Sequence, residues 1–512
     1  MSGKGWKLIK KERMEEAALK FRSDCRLTGG FCMSPKMMQF TRLGQMMPDK
    51  RRPDARREDF DEIYQRFTPV QAQGQASRCE QCGIPFCQIH CPVANNIPDW
   101  LMLTAAGRLE EAFALSSATN SFPEICGRIC PQDRLCEGGC VLEQSHHNAV
   151  TIGSVEKYIT DTAWDQGWVT PPVPACDLGQ SVGIIGAGPA GLAAAQMLRA
   201  QGYAVSVYDR HDRAGGLLIY GIPGFKLEKH IVTRRVNHLR EAGVEFHLGA
   251  GIGDAGGPSM ADLRSRHDAV LIATGVYKDR PLGVPGDSLS GVYPALDYLI
   301  TSNRVALGDQ VEAFDTGSLN AEGRDVVVIG GGDTAMDCVR TAIRQGARSV
   351  RCVYRRDRAN MPGSQREVAH AEEEGVDFVW QAAPEAVLGD GKVTGVRCVR
   401  MHLGTSDASG RQTPTPVEGS QFIIPASLVI KALGFDPEDI PVLFGAPDLA
   451  VTRWGTVKTA DGSQATSLPG VYAAGDIMRG ASLVVWAIRD GRAAAAEIDT
   501  YLQQQRAAQA AE

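Results

Sequence analysis

The sequence predicts an α/β protein, with a mainly helical, cysteine-rich N-terminal domain followed by two units built on parallel strands. Three observations carry that reading. The stretches VGIIGAGPAGLAAAQMLRAQGYAVSVYDR (182–210) and VVVIGGGDTAMDCVRTAIRQGARSVRCVYRR (326–356) both run strand, glycine-rich turn, helix and second strand. Eight of the 14 cysteines fall between Cys79 and Cys140. A proline-rich linker, TPPVPA (170–175), separates the cysteines from the first repeat.

Bulk properties narrow the class. With 43% hydrophobic and 22% charged residues the chain has ordinary soluble composition, and a formal charge of −6 gives no electrostatic case for nucleic acid. The opening MSGKGWKLIKKER lacks the apolar core of a secretory signal. Leu178 to Leu198 carries no charge, but its five glycines and one proline suit a buried strand–turn–helix better than a membrane span. A cytoplasmic protein with neither membrane nor nucleic-acid partner is expected. Cysteines concentrated in one region of such a chain favour metal over disulfides.

Residues 1–170 are read as an arm and the cysteine domain. The Met-rich, basic part to about residue 75 is either a solvated arm or a docking arm for another subunit. Residues 178–305 with 440–512 form the first dinucleotide-binding domain, and 306–439 form the second, inserted in the first. REVAHAEEEGVDF reads as a solvated helix face. His146-His147 reads as a surface loop, and the tail QQQRAAQAAE as frayed helix.

Each glycine turn has a chemical purpose. Gly186, Gly188 and Gly191 supply G-x-G-x-x-G: a tight turn, close backbone approach to a pyrophosphate, and close helix–strand packing. The helix opening at Pro189-Ala190 presents free N–H groups and a positive dipole end to phosphate. Asp209 closes the second strand, where a carboxylate accepts from ribose hydroxyls, and Gly216 is assigned to the same site. The second unit has Gly330, Gly332 and Ala335, with Asp333 and Thr334 opening its helix. Here Arg355 stands where Asp209 stands in the first copy. A guanidinium matches a 2′-phosphate that a carboxylate repels, so Arg355 and Arg356, with Arg358 beside them, predict NADP(H).

Ala273-Thr274-Gly275 in AVLIATGVYKDRP, and Gly475-Asp476 with Ser482 in GVYAAGDIMRGASLVVWAI, point to FAD in the first unit. On these motifs, residues 180–512 resemble flavoprotein pyridine-nucleotide oxidoreductases with two Rossmann-like domains. Thioredoxin and glutathione reductases of this layout carry a cysteine pair beside the flavin. Here Cys338 and Cys352 stand far apart and are expected in the core, so the electrons need another outlet.

The eight clustered cysteines make two quartets, C-x2-C-x4-C-x3-C-P (Cys79, Cys82, Cys87, Cys91) and C-x3-C-x5-C-x3-C (Cys126, Cys130, Cys136, Cys140). Only some spacings fit zinc knuckles. The first echoes ferredoxin runs, in which three cysteines grip one cluster and the fourth, before proline, serves its neighbour. Two 4Fe-4S clusters are expected ahead of zinc or structural thiols.

Taken together, the chain resembles the small (β) subunit of bacterial NADPH-dependent glutamate synthase over nearly its whole length. That resemblance implies crossed ligation: Cys79, Cys82 and Cys87 with Cys140, and Cys91 with Cys126, Cys130 and Cys136. A related region in dihydropyrimidine dehydrogenase replaces one cysteine by glutamine, which singles out Cys126. Electrons from NADPH would pass through FAD and the clusters to a large (α) subunit carrying FMN and glutaminase activity, which makes L-glutamate from 2-oxoglutarate and glutamine. No side chain of this subunit is expected to act as catalytic acid or base, and Met1-Ser2 offers no N-terminal cysteine nucleophile. The alternatives are the large subunit of an NADH-dependent ferredoxin:NADP transhydrogenase and a zinc-stabilised binding module.

Overall fold

In the computed structural model, which describes residues 37–406 and 412–510, the cysteine region is helical and the repeats become two parallel sheets of one design. Helices α1 (Pro69–Ala76), α2 (Ile97–Ala105), α3 (Leu109–Thr119), α4 (Pro123–Ile129) and α5 (Ile152–Asp165) make up most of the N-terminal domain. Its core gathers Phe67, Trp100, Leu101, Val155 and Ile159. Three of these helices begin with proline at the first or second position, where its missing N–H costs nothing. A Thr68–Gln71 capping box starts α1.

The chain then runs β1 (Ser181–Ile185), α6 (Pro189–Gln201), β2 (Ala204–Asp209), α7 (Lys229–Glu241), β3 (Glu245–Leu248) and β4 (Ala269–Ile272). It crosses to β5 (Val292–Pro294), α8 (Ala295–Ala306), β6 (Asp325–Ile329), α9 (Asp333–Arg344), β7 (Ser349–Tyr354), α10 (Gln365–Glu373) and β8 (Asp377–Trp380). A four-stranded antiparallel sheet lies between Ala382 and Pro425, followed by β9 (Leu428–Lys431), β10 (Val471–Ala473) and α11 (Val484–Gln509). The sheet orders are β10-β4-β1-β2-β3 and β5-β9-β6-β7-β8, parallel throughout. Thus β6, β7, β8 and β9 repeat β1, β2, β3 and β4. In each sheet the strand order reverses beside the strand that feeds the glycine turn, the place where such sheets open a ligand crevice. The uncharged stretch near Leu178–Leu198 is β1, its turn and α6, and no helix among the described residues is long and apolar enough to cross a membrane.

Three expectations need correction. The second sheet does not begin after residue 305: β5 pairs with β9, Val292 opposite Val429, so the strand belongs there. Three residues ending in proline left no strand signal. The arm before residue 75 is not simply solvated. Residues 1–36 lie outside the described residues, but Arg56 is fully buried, Ile63 and Phe67 join the core, and the backbone N–H of Ile63 donates to Phe225 O. The segment docks on its own chain.

Nor is α10 a solvated face. Val368, His370 and Ala371 are buried, as is Glu374 just beyond the helix end. Lys50 and Arg56 each reach Glu373 at 2.7 Å, and Tyr64 Oη lies 2.8 Å from His370 Nε2. Its charges face partners from distant segments, which spacing along one helix cannot show.

Candidate functional site

The two glycine turns have the same construction. A Cβ on Gly186 would stand 2.3 Å from Ala273 O, and one on Gly330 would stand 2.2 Å from Ala432 O. Each turn is therefore pressed against the residue following the neighbouring strand, with φ of +108° and +150°. Gly188 and Gly332, by contrast, cap α6 and α9 and face open space, leaving room for a ligand at the helix N-termini. Gly216 lies against Gly188, and Asp209 Oδ2 accepts from Ala187 N at 2.7 Å. The acidic group of the first copy is thus anchored to the turn it serves.

The arginines of the second copy divide. Arg355 is exposed and, among the described residues, makes no hydrogen bond or ion pair. Arg356 Nε donates to Gln412 O at 3.0 Å. Arg358, the third arginine of the group, forms a partly exposed ion pair with Glu372 at 2.7 Å. Asp333 Oδ1, in the first turn of α9, accepts from Ser364 N at 2.9 Å.

The cysteines regroup across their quartets. Cys79, Cys82 and Cys87 line one small cavity with Cys140, closed by Phe86, Leu101, Val141 and Ile152. Arg78 makes this possible: fully buried, its guanidinium donates to Ala149 O at 2.6 Å and to His147 O and Asn148 O at 2.8 Å. That pins the chain just after Cys140 beside the residue before Cys79. Deeper in the domain, electrostatic influence links Cys91 to Cys126, Cys130 to Cys126 and Cys136, and Cys136 to both Cys91 and Cys87. Burial pushes the Cys79 thiol up to about 11 and those of Cys87 and Cys91 up to about 12. A hydrogen bond with Cys126, then burial, raises Cys130, while burial raises Cys136. Thiolates in such surroundings call for a cation, and soft sulfur donors suit zinc and iron–sulfur clusters alike. Among the described residues no three His, Cys, Asp or Glu groups stand close enough to hold a single metal ion.

Glu156 is a group the sequence did not reveal. It is buried on α5, held loosely by Asn120 and Ser116 at 3.4 and 3.5 Å, and burial raises it to about 8. Its charge would act on Cys91, Cys130 and Cys136 from the face of α5.

A cavity of about 420 Å³ lies between the three parts of the chain. Its wall includes Cys130 from the cysteine domain, Asp476 and Ser482 from the first unit, and Asp333 and Thr334 from the second. Burial raises Asp476 to about 6 against the opposing pull of the Ser482 backbone. Lys226 also lines it and reaches Asp337 on α9 at 2.9 Å. No local pattern marks Lys226 in GIPGFKLEKH, because its partners lie over a hundred residues away.

Two family models match: dihydropyrimidine dehydrogenase domain II, 4Fe-4S cluster, over residues 56–168, and pyridine nucleotide-disulphide oxidoreductase over 180–491. The glutamate synthase (NADPH) small chain of Azospirillum brasilense is 67% identical over 91% of this chain and 96% of its own. That of Escherichia coli K12 is 46% identical over 92% and 100%. Among solved structures, Mycobacterium tuberculosis FprA in complex with NADPH shares the fold, with TM-score 0.54 and 20% identity over 64% of this chain and 86% of that one. The match spans both the cysteine domain and the paired dinucleotide units, and the chain belongs to the glutamate synthase (NADPH) small chain family.

Proposed function

We propose that the chain is the electron-input subunit of a glutamate synthase, oxidising NADPH and passing electrons through two 4Fe-4S clusters to a large subunit that carries FMN and glutaminase activity. The observation that carries this reading is the shared cavity, on whose wall the second turn, the Asp476–Ser482 segment and Cys130 meet. Bound FAD would supply what no side chain here can, the exchange of a two-electron hydride for single electrons.

The chain's own groups bind and orient. Gly186, Gly188, Pro189, Ala190 and Gly191 form the phosphate turn for FAD, with Asp209 toward the ribose. Gly216, Ala273, Thr274, Gly275, Gly475, Asp476 and Ser482 complete that site. Gly330, Gly332, Asp333, Thr334 and Ala335 form the turn for NADPH, and Arg355 and Arg356 take the 2′-phosphate. Apolar Leu217, Val276, Leu299 and Phe435 line the cavity between the units and limit water there. Cys79, Cys82, Cys87 and Cys140 hold one cluster. Cys91, Cys130 and Cys136 hold the other, with Cys126 as fourth ligand and Glu156 as its rival. Cys126→Ser is expected to lose about half the cluster iron. Full iron in that variant, with loss in Glu156→Ala, would give the position to Glu156.

The nucleotide assignment has its own test. Arg355→Asp removes a charge-assisted bond worth about 1.5–3 kcal/mol and puts a carboxylate beside the phosphate. NADPH should lose roughly 10- to 100-fold in kcat/KM while NADH changes little. Equal losses for both nucleotides would refute a 2′-phosphate contact.

A further inference from the structure

We propose that Ser364 is a positioning residue that ties the second dinucleotide turn to the cysteine loop 130–136, so that nucleotide binding and the oxidation state of the cluster there influence each other. This rests on the reading of those two sites given above. The bridge is short and continuous. On one side, Ser364 N donates to Asp333 Oδ1 at 2.9 Å, and Gly363 N donates to Gly331 O at 3.0 Å. On the other, Ser364 Oγ donates to Asp133 Oδ1 and Oδ2 at 3.1 and 3.2 Å, joined by Gln365 N to Oδ2 at 3.2 Å. Asp133 stands midway between Cys130 and Cys136. Arg366 reinforces the joint through Gln132 Oε1 at 3.1 Å and Glu137 Oε2 at 2.7 Å, and Arg134 donates to Pro362 O. Ser364 is 5% exposed, so water does not replace these bonds freely.

The sign follows from charge. Phosphate arriving at the N-terminus of α9 brings negative charge beside the Asp333 carboxylate, which only Ser364 N holds through a side-chain contact among the described hydrogen bonds. A shift of Asp333 loads Ser364 and, through its hydroxyl, Asp133. In the reverse direction, one electron added to the cluster would increase the negative charge held by the loop that carries Asp133 and weaken the hold on an anionic nucleotide. The two effects are one coupling and must be equal. A direct field between the sites would survive loss of the hydroxyl, whereas the hydrogen-bonded part would not.

The test uses the loaded subunit and 2′-phospho-ADP-ribose, which carries the phosphates but no reducible ring. Cluster reduction is followed by electron paramagnetic resonance at fixed potentials, with and without the saturating analogue. In the wild type the analogue should change the oxidised-to-reduced ratio about fivefold, the low end of measured couplings. Ser364→Ala should bring that factor toward one with the analogue still bound by equilibrium dialysis, and Ser364→Thr should restore it. An unchanged factor in Ser364→Ala, or no effect in the wild type despite bound analogue, would overturn the coupling. Absence of analogue binding, or of any iron–sulfur signal, would instead overturn the site assignments and the coupling with them.

Discussion

Cys82→Ala is expected to abolish glutamate formation with the large subunit while NADPH still bleaches the flavin. Cys82 shares its cavity with Cys79, Cys87 and Cys140, and the other polar lining residue there is Glu80, a hard carboxylate ill suited to replace a thiolate. The cluster at this position should be lost, leaving about half the iron. Neither glycine turn touches this cavity, whose lining runs from Cys79 to Ile152, so FAD content and the reductive half-reaction should persist. Glutamate formation in the variant with halved iron would mean that electrons leave by another route. Unchanged iron would mean that Cys82 is not a ligand.

What the sequence disclosed and what it hid follow one division, that between local and distant constraints. The repeats were legible because Gly186 with Gly188, and Gly330 with Gly332, state their requirement within a few residues, and the buried β-branched runs before them mark strands. The regrouping of Cys140 with the first quartet depends instead on Arg78 binding carbonyls about seventy residues away. No spacing rule contains that bond; family resemblance alone implied the set. Arg358 looks like its neighbours in the sequence, and its ion pair with Glu372 on α10 appears only in the fold. Ser364 and Lys226 belong to no motif at all, since their roles lie in what they reach across an interface. The helix α10 misled for the same reason: alternating charges suit water or a charged neighbour equally well, and sequence does not say which is present.

That neighbour supplies the second large effect. Glu374 is fully buried and accepts from Arg340 Nε and Nη2 at 2.9 Å, and from Arg344 Nη1 and Nη2 at 2.6 and 3.1 Å, with Arg56 Nη1 3.5 Å away. Arg340 and Arg344 in turn stand over the Phe225 ring at 4.4 and 4.0 Å, joining α9 to the first unit. Glu374 therefore meets three guanidinium groups from the arm and α9, sharing Arg56 with Glu373 and Arg340 with Glu367, which lies 2.6 Å from Arg340 Nη1. Burial alone would raise its pKa, but the bonds from Arg344 and Arg340 prevail and bring it to about 2. Because the folded value lies below the unfolded one, this stabilisation is complete above about pH 4.5 and is lost as pH falls toward 2. Glu374→Gln removes it at every pH and leaves buried positive charges facing each other, a change that costs about 3–5 kcal/mol. In thermal unfolding the first transition should fall by roughly 10 °C, and its acid dependence between pH 5 and 3 should flatten relative to the wild type. An unaltered midpoint would show that water or rearranged arginines replace the carboxylate at no cost. An acid profile as steep as the wild type's would place the proton-sensitive group elsewhere.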